Sequence, residues 1–237
     1  MALTAGMQRI VGPKTDAWPI FFPIAAVYGM VVIPISVYSM TMGRVLVPGL
    51  ATPGGHAHEL LFGYVLAVVA GFLLNRVPRW WLVGLVATWC LARVGSLAAP
   101  SALITDIFNV LFIVGFVWAG ASRFLPTARK WRNKVFGLNL ALLGLAGITG
   151  HLMFSRPVTQ LAVVEAVLMI SLLMMMMGGR MLAPAVAGHI ERQGGVLEAR
   201  VQPGVEGAII GLLLAAAVCW VLPVDQAIAG ALLVGAG

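Results

Sequence analysis

Seven stretches of roughly 20 mainly apolar residues recur along this chain, and each is long enough to cross about 30 Å of hydrocarbon as a helix. In lipid every backbone amide must be paired within its own segment or in a closed barrel. These runs are too long and too uniformly apolar for the alternating strands of an outer-membrane barrel. The sequence therefore predicts an all-α polytopic membrane protein with spans near 18–40, 59–77, 80–97, 102–121, 135–154, 158–177 and 205–222. Hydrophobic residues make up 61% of the chain and charged residues only 10%, which excludes a water-soluble globule. All 237 residues are read as one transmembrane helical domain. A last apolar piece, 227–237, is too short to cross the bilayer as a straight helix. The first 17 residues lack the apolar core and cleavage site of a removable signal, so the first span is expected to serve as the insertion signal.

Basic residues orient the bundle, because short basic loops stay in the cytoplasm. Arg9, Lys14, Arg76, Arg79, Arg123, Arg129, Lys130, Arg132, Lys134, Arg180, Arg192 and Arg200 fall on one side. Only Arg44, Arg93 and Arg156 are counted on the other, which completes the 15 Lys and Arg residues. The amino terminus is thus expected in the cytoplasm. Topology also accounts for the net charge of +7, so no nucleic-acid partner is implied. The basic loops are expected to meet anionic lipid headgroups. Cys90 and Cys219 lie inside predicted spans, where small buried apolar roles are expected rather than a disulfide or a metal site.

Ionisable groups at membrane depth are costly, so their positions point to function. His56, His58 and Glu59 open the second span, His151 closes the fifth, and Asp106 and Glu165 lie in the fourth and sixth. With a cytoplasmic amino terminus, all six belong to the outer half of the bundle, and His189 alone stays inside. On a helix His56 and Glu59 share a face, whereas His56 and His58 diverge by about 200°. One metal centre takes both imidazoles only if the Pro53-Gly54-Gly55 approach is extended; otherwise the two serve different roles, one as an axial haem ligand and the other as an orienting partner or a second metal's ligand.

Plainer readings stand beside these. An interfacial histidine often faces water or a backbone carbonyl, and Glu165 and Asp106 are more often polar contacts between helices than proton relays. The run Met174 to Met177 winds round its helix and is read as packing, not as a copper site. Trp18, Trp80, Trp81, Trp118 and Trp131 near span ends suit an interfacial belt. Gly63, Gly71, Gly137, Gly144, Gly147 and Gly150 are expected to let helices or a flat macrocycle approach closely. Gly178-Gly179-Arg180 followed by Pro184 is expected to end the sixth span, and Arg180 would reach a haem propionate only for a haem on the inner side. No phosphate-binding loop, serine-nucleophile motif or HExxH is present.

His56-Ala57-His58-Glu59-Leu60-Leu61-Phe62-Gly63-Tyr64, continuing through Val69 to Leu74 and on to Val77-Pro78-Arg79-Trp80, resembles the signature region of the NnrS family. Trp131-Arg132-Asn133 with Phe136, Asn139 and His151 is similar to a second block, Gly178-Gly179-Arg180-Met181 with Pro184 to a third, and Trp18-Pro19-Ile20-Phe21-Phe22 to the family's opening, without its arginine. The resemblance implies a multi-pass protein of the bacterial inner membrane, associated with haem b and copper and linked to nitric oxide metabolism and nitrosative stress. It implies His56, His58 and His151 as ligands, Glu59 as a residue that orients one of them, and Arg180 as a motif residue without an assigned role. The family's longer members carry a further carboxy-terminal half with more histidine motifs, which this chain lacks. Two functions follow. Either the outer histidines hold haem or copper, or the chain is an accessory subunit without bound metal that packs against other membrane subunits or a second copy. Whether it turns over a substrate stays open.

Overall fold

A computed structural model describes residues 14–124, 131–152, 156–195, 203–221 and 226–236. Helices stand at all seven expected positions: α1 Trp18–Met42, α2 Pro53–Leu73, α3 Arg79–Ala98, α4 Leu103–Phe124, α5 Trp131–Leu152, α6 Arg156–Arg192 and α7 Pro203–Val221. A short α8, Gln226–Ala236, follows. Six of these helices are long and apolar enough to cross a membrane. The other long helix, α5, has 22 residues with its apolar stretch at Lys134–Gly150. The all-helical polytopic architecture is therefore as expected. The chain divides into two compact units, 1–163 and 164–237.

In the first unit, α1 buries one stripe, Phe21, Ala25, Gly29, Val32, Ser36 and Ser39, at the three- and four-residue spacing of a single helical face. The rest of its surface is large and apolar, including Val27, Met30 and Val31, as lipid contact requires. Pro23 and Pro34 lie inside this helix and do not end it. Small residues set the packing distance to α2, since a Cβ on Gly29 would stand 3.0 Å from the Tyr64 ring and one on Gly71 2.7 Å from that of Phe22. Phe112 and Phe116 of α4 stack in the core, and Phe21 tilts onto Phe112. Trp18, Trp80, Trp118 and Trp131 are exposed, in keeping with an interfacial belt.

Lys14–Thr15 (β1) pairs antiparallel with Val77–Pro78 (β2), and the Arg76 amide donates to Asp16 Oδ1 at 2.9 Å. The segment before α1 and the loop after α2 thus lie at the same end, where the charge count puts both.

The structure decides one open alternative and corrects two expectations. The approach to α2 is not extended: Pro53–His58 is α-helical, because Thr52 caps it through Oγ1 accepting from the Gly55 amide at 3.1 Å and Pro53 occupies the first turn, where its missing amide proton costs nothing. Thr52→Ala is expected to remove about 1 kcal/mol, measured as a lower thermal midpoint of the detergent-purified protein. Secondly, α6 does not stop at Gly178-Gly179; it runs 37 residues through Pro184 to Arg192. Two glycines weaken a helix by only about 1 kcal/mol each, less than the cost of leaving backbone groups unpaired in lipid. Thirdly, neither cysteine is buried, since Cys90 is exposed on α3 and Cys219 is partly exposed. Both remain free thiols.

In the second unit α8 packs back along α7, where Gly235 comes to within contact of Leu212. Eleven residues extend only about 16 Å, so α8 is too short to span, as expected.

Candidate functional site

Between Glu59 and Val65 the α2 backbone widens into a π-helix before returning to α-geometry at Leu66–Leu73. Such segments are rare and frequently mark functional sites. The widened turn puts Glu59 and Gly63 together on the face toward α3. The carboxylate and the glycine form the floor of a polar layer.

Glu59 is buried, at 1% exposure. Its Oε2 accepts from Arg93 Nη1 at 2.6 Å, and the Tyr28 hydroxyl donates to the same oxygen. Its Oε1 faces His58 Nδ1 at 2.9 Å. Arg93, at 3% exposure, also donates from Nη2 to Asn109 Oδ1, and Asn109 Nδ2 donates to Ser96 Oγ at 3.1 Å and to the Thr105 carbonyl at 3.0 Å. Both Glu59 oxygens and both Arg93 Nη atoms are bonded, as a buried pair requires, while Arg93 Nε is buried without a hydrogen-bond partner among the described residues. Gly63 has no room for a side chain: a Cβ would stand 2.8 Å from Arg93 Nη1 and 3.1 Å from Glu59 Oε2. The Gly63 carbonyl, in the widened turn, accepts from Trp89 Nε1 at 3.0 Å, and the Trp89 ring meets Tyr28 edge-on. Glu59, Arg93 and Asn109 are each five or six residues from the same-side ends of their helices, at the start of α2, the end of α3 and the start of α4, so they share one layer about 8–9 Å in.

His56 is held separately. Ser36 Oγ, on α1, lies 2.5 Å from His56 Nδ1 and also donates to the Ile33 carbonyl at 3.0 Å. With its single proton directed to Ile33, Ser36 accepts from the Nδ1–H of His56. The basic lone pair of His56 is thereby placed on Nε2. A carboxylate only accepts, so Glu59 fixes the same tautomer in His58. Because Pro53–His58 is helical, the two imidazoles leave the helix about 200° apart, one toward α1 and one toward Glu59. A single ion shared by the two does not fit this backbone.

His151 lies in the last turn of α5, and its side chain is outside the described residues. The α5 backbone beside it is placed: Cβ atoms on Gly147 and Gly150 would meet the Phe62 ring at 3.1 and 3.9 Å, and His58 contacts that ring with centroids 5.4 Å apart. The end of α5 therefore approaches the His58 turn. Asp106 sits in the first turn of α4. Glu165 lies on α6 in the second unit, where its Oε1 is buried without a hydrogen-bond partner among the described residues. The Arg180 side chain is outside the described residues. Among the described residues no three of His, Cys, Asp and Glu gather as a metal-holding group.

Residues 16–237 match the family model described as NnrS protein, which is most of the chain. The chain belongs to the NnrS family. Membership places it among membrane proteins associated with the response to nitric oxide. No curated protein and no solved structure matches it. Within the family signature at 56–64, the structure gives both histidines and the glutamate a partner: His56 has Ser36, His58 has Glu59, Glu59 has Arg93 and Tyr28, and Gly63 leaves space for the Arg93 guanidinium. Arg93, Tyr28, Asn109 and Ser36 were not singled out from sequence. An arginine inside the predicted span 80–97 was the available signal, since intramembrane arginines pair with something.

Proposed function

We propose that this NnrS-family protein of the bacterial inner membrane holds haem b through a histidine at the outer end of α2, with copper as a second metal. The observation that carries this reading is that His56 and His58 each have Nδ1 held by an oxygen, at 2.5 and 2.9 Å. Ligating histidines are held in this way: a partner on one ring nitrogen fixes the tautomer and raises the basicity of the other. The donor set suits one imidazole per centre, and His151, in the last turn of α5, is the further candidate to hold such a group. Haem or copper bound there would supply affinity for nitric oxide and one-electron redox chemistry. The residues of the chain hold the imidazoles in register, and the buried Phe62 ring packed against His58 excludes water. Membrane lipids surround the bundle, and a second copy or another subunit completes any ligand set the chain lacks.

The test is a visible spectrum with metal analysis of the detergent-purified chain, beside His56→Ala, His58→Ala and His151→Ala. A Soret band is expected in the wild type and lost in the variant that removes the histidine holding the haem. A wild-type preparation with neither Soret band nor copper rejects the reading. It would leave the protein as an accessory subunit, to be sought in a larger membrane complex.

A further inference from the structure

The geometry points to Arg93 as a positioning residue for the His58 imidazole, acting through Glu59 and braced from α4 by Asn109. The inference rests on the proposed ligand role of His58 and adds a residue from outside the signature motif to that site.

Glu59 has two carboxylate oxygens with separate duties. Oε2 takes both the Arg93 guanidinium at 2.6 Å and the Tyr28 hydroxyl, and only Oε1 is directed to His58 Nδ1. A carboxylate bound at one oxygen alone would turn about its terminal torsion, which is broad and roughly two-fold. Anchoring Oε2 stops that rotation, and the charged guanidinium does so more firmly than the Tyr28 hydroxyl, so Arg93 fixes the direction in which Oε1 meets the ring. Arg93 is fixed in turn. Its Nη2 donates to Asn109, which is held by Ser96 and the Thr105 carbonyl, and the space it enters exists because residue 63 has no Cβ. The direction of one imidazole on α2 is thus set by α3 and α4. His56 is independent of this chain of contacts, since its Nδ1 partner is Ser36 on α1.

That independence supplies the control. In full-length chain labelled with 15N-histidine in detergent micelles, the ring-nitrogen shifts report which nitrogen of each imidazole carries the proton. His58 and His56 are assigned by signal loss in His58→Gln and His56→Gln. The wild type is expected to show His58 protonated at Nδ1, and Arg93→Lys to retain that pattern only in part, since an ammonium still reaches Oε2 but makes no second bond to Asn109. Arg93→Gln is expected to collapse the His58 pattern toward a mixture of tautomers and leave His56 unchanged. Ser36→Ala is expected to do the reverse. With added hemin, Arg93→Gln is expected to bind about 10-fold more weakly than wild type, the lower range for losing a partner that orients a ligand.

An Arg93→Gln protein that folds with the wild-type His58 pattern overturns the inference. If Arg93→Gln does not fold, Asn109→Ala decides, because it keeps the ion pair and removes only the brace; an unchanged His58 pattern there is equally adverse. A wild-type chain that takes up no hemin rejects the functional reading alone, as the ring-nitrogen pattern is read without any ligand.

Discussion

Arg93→Leu is expected to destabilise the protein by about 3–5 kcal/mol, the range for removing one partner of a buried ion pair and leaving the other charge uncompensated. The Glu59 carboxylate would stay at 1% exposure, with Tyr28 and His58 unable to balance it. Asn109 Oδ1 would lose its guanidinium donor at the same moment. The measurement is the fraction of detergent-solubilised protein that stays monodisperse on size exclusion after stepwise heating. The double variant Arg93→Leu/Glu59→Leu should recover much of the loss, because two apolar groups of similar volume often replace a buried pair at little cost. A single variant as heat-resistant as wild type would mean that the Glu59 charge is balanced by something other than Arg93.

The second large effect is steric. A Cβ at Gly55 would stand 2.1 Å from the Gly49 carbonyl oxygen, and one at Gly49 would stand 1.9 Å from the Ser96 carbonyl oxygen of α3. Both obstacles are backbone, so no side-chain rotation relieves them. Ser96, Gly49 and Gly55 form a stack that presses the first turn of α2 against the end of α3. Gly55→Ala must separate these segments and is expected to lose about 3 kcal/mol, at the upper end for overpacking. It should also loosen His56, one residue along, from Ser36. Gly84→Ala on α3 is the control, since nothing lies within 4 Å of its Cβ position and a helical alanine there is neutral or favourable by up to about 1 kcal/mol. Equal thermal stability of the Gly55 and Gly84 variants would refute the stack.

The spans were legible in the sequence because an apolar run is a local property, and helices stand at all seven expected places. The His56, His58 and Glu59 group was legible because its members are neighbours in the chain. Their partners were not. Arg93 contributes to a charge count as one more basic residue on the outer side, yet it lies inside α3 and bonds a carboxylate 34 positions earlier. A residue five places from a helix end is equally compatible with a side chain that snorkels to the interface, and only packing decides between the two. The π-segment left no periodic trace, since seven apolar-rich residues look alike on either helical geometry. Gly178-Gly179 misled for a different reason: glycine lowers helical preference only slightly, and α6 continues through both residues to Arg192.

The Glu59–Arg93 bond also constrains how the chain enters the bilayer. A membrane insertase meets α2 before α3, and a lone carboxylate or guanidinium near the centre of a span is penalised by about 2.5–3.5 kcal/mol, less toward its ends. Taken singly, each helix carries a charge that opposes its release into lipid. Taken together as a hairpin joined by the short turn around Val77–Pro78, they bring these two charges in as a neutral pair. The polar layer that arranges the site thus makes α2 and α3 one piece of cargo during biogenesis, delivered before α4 arrives with Asn109 to lock it.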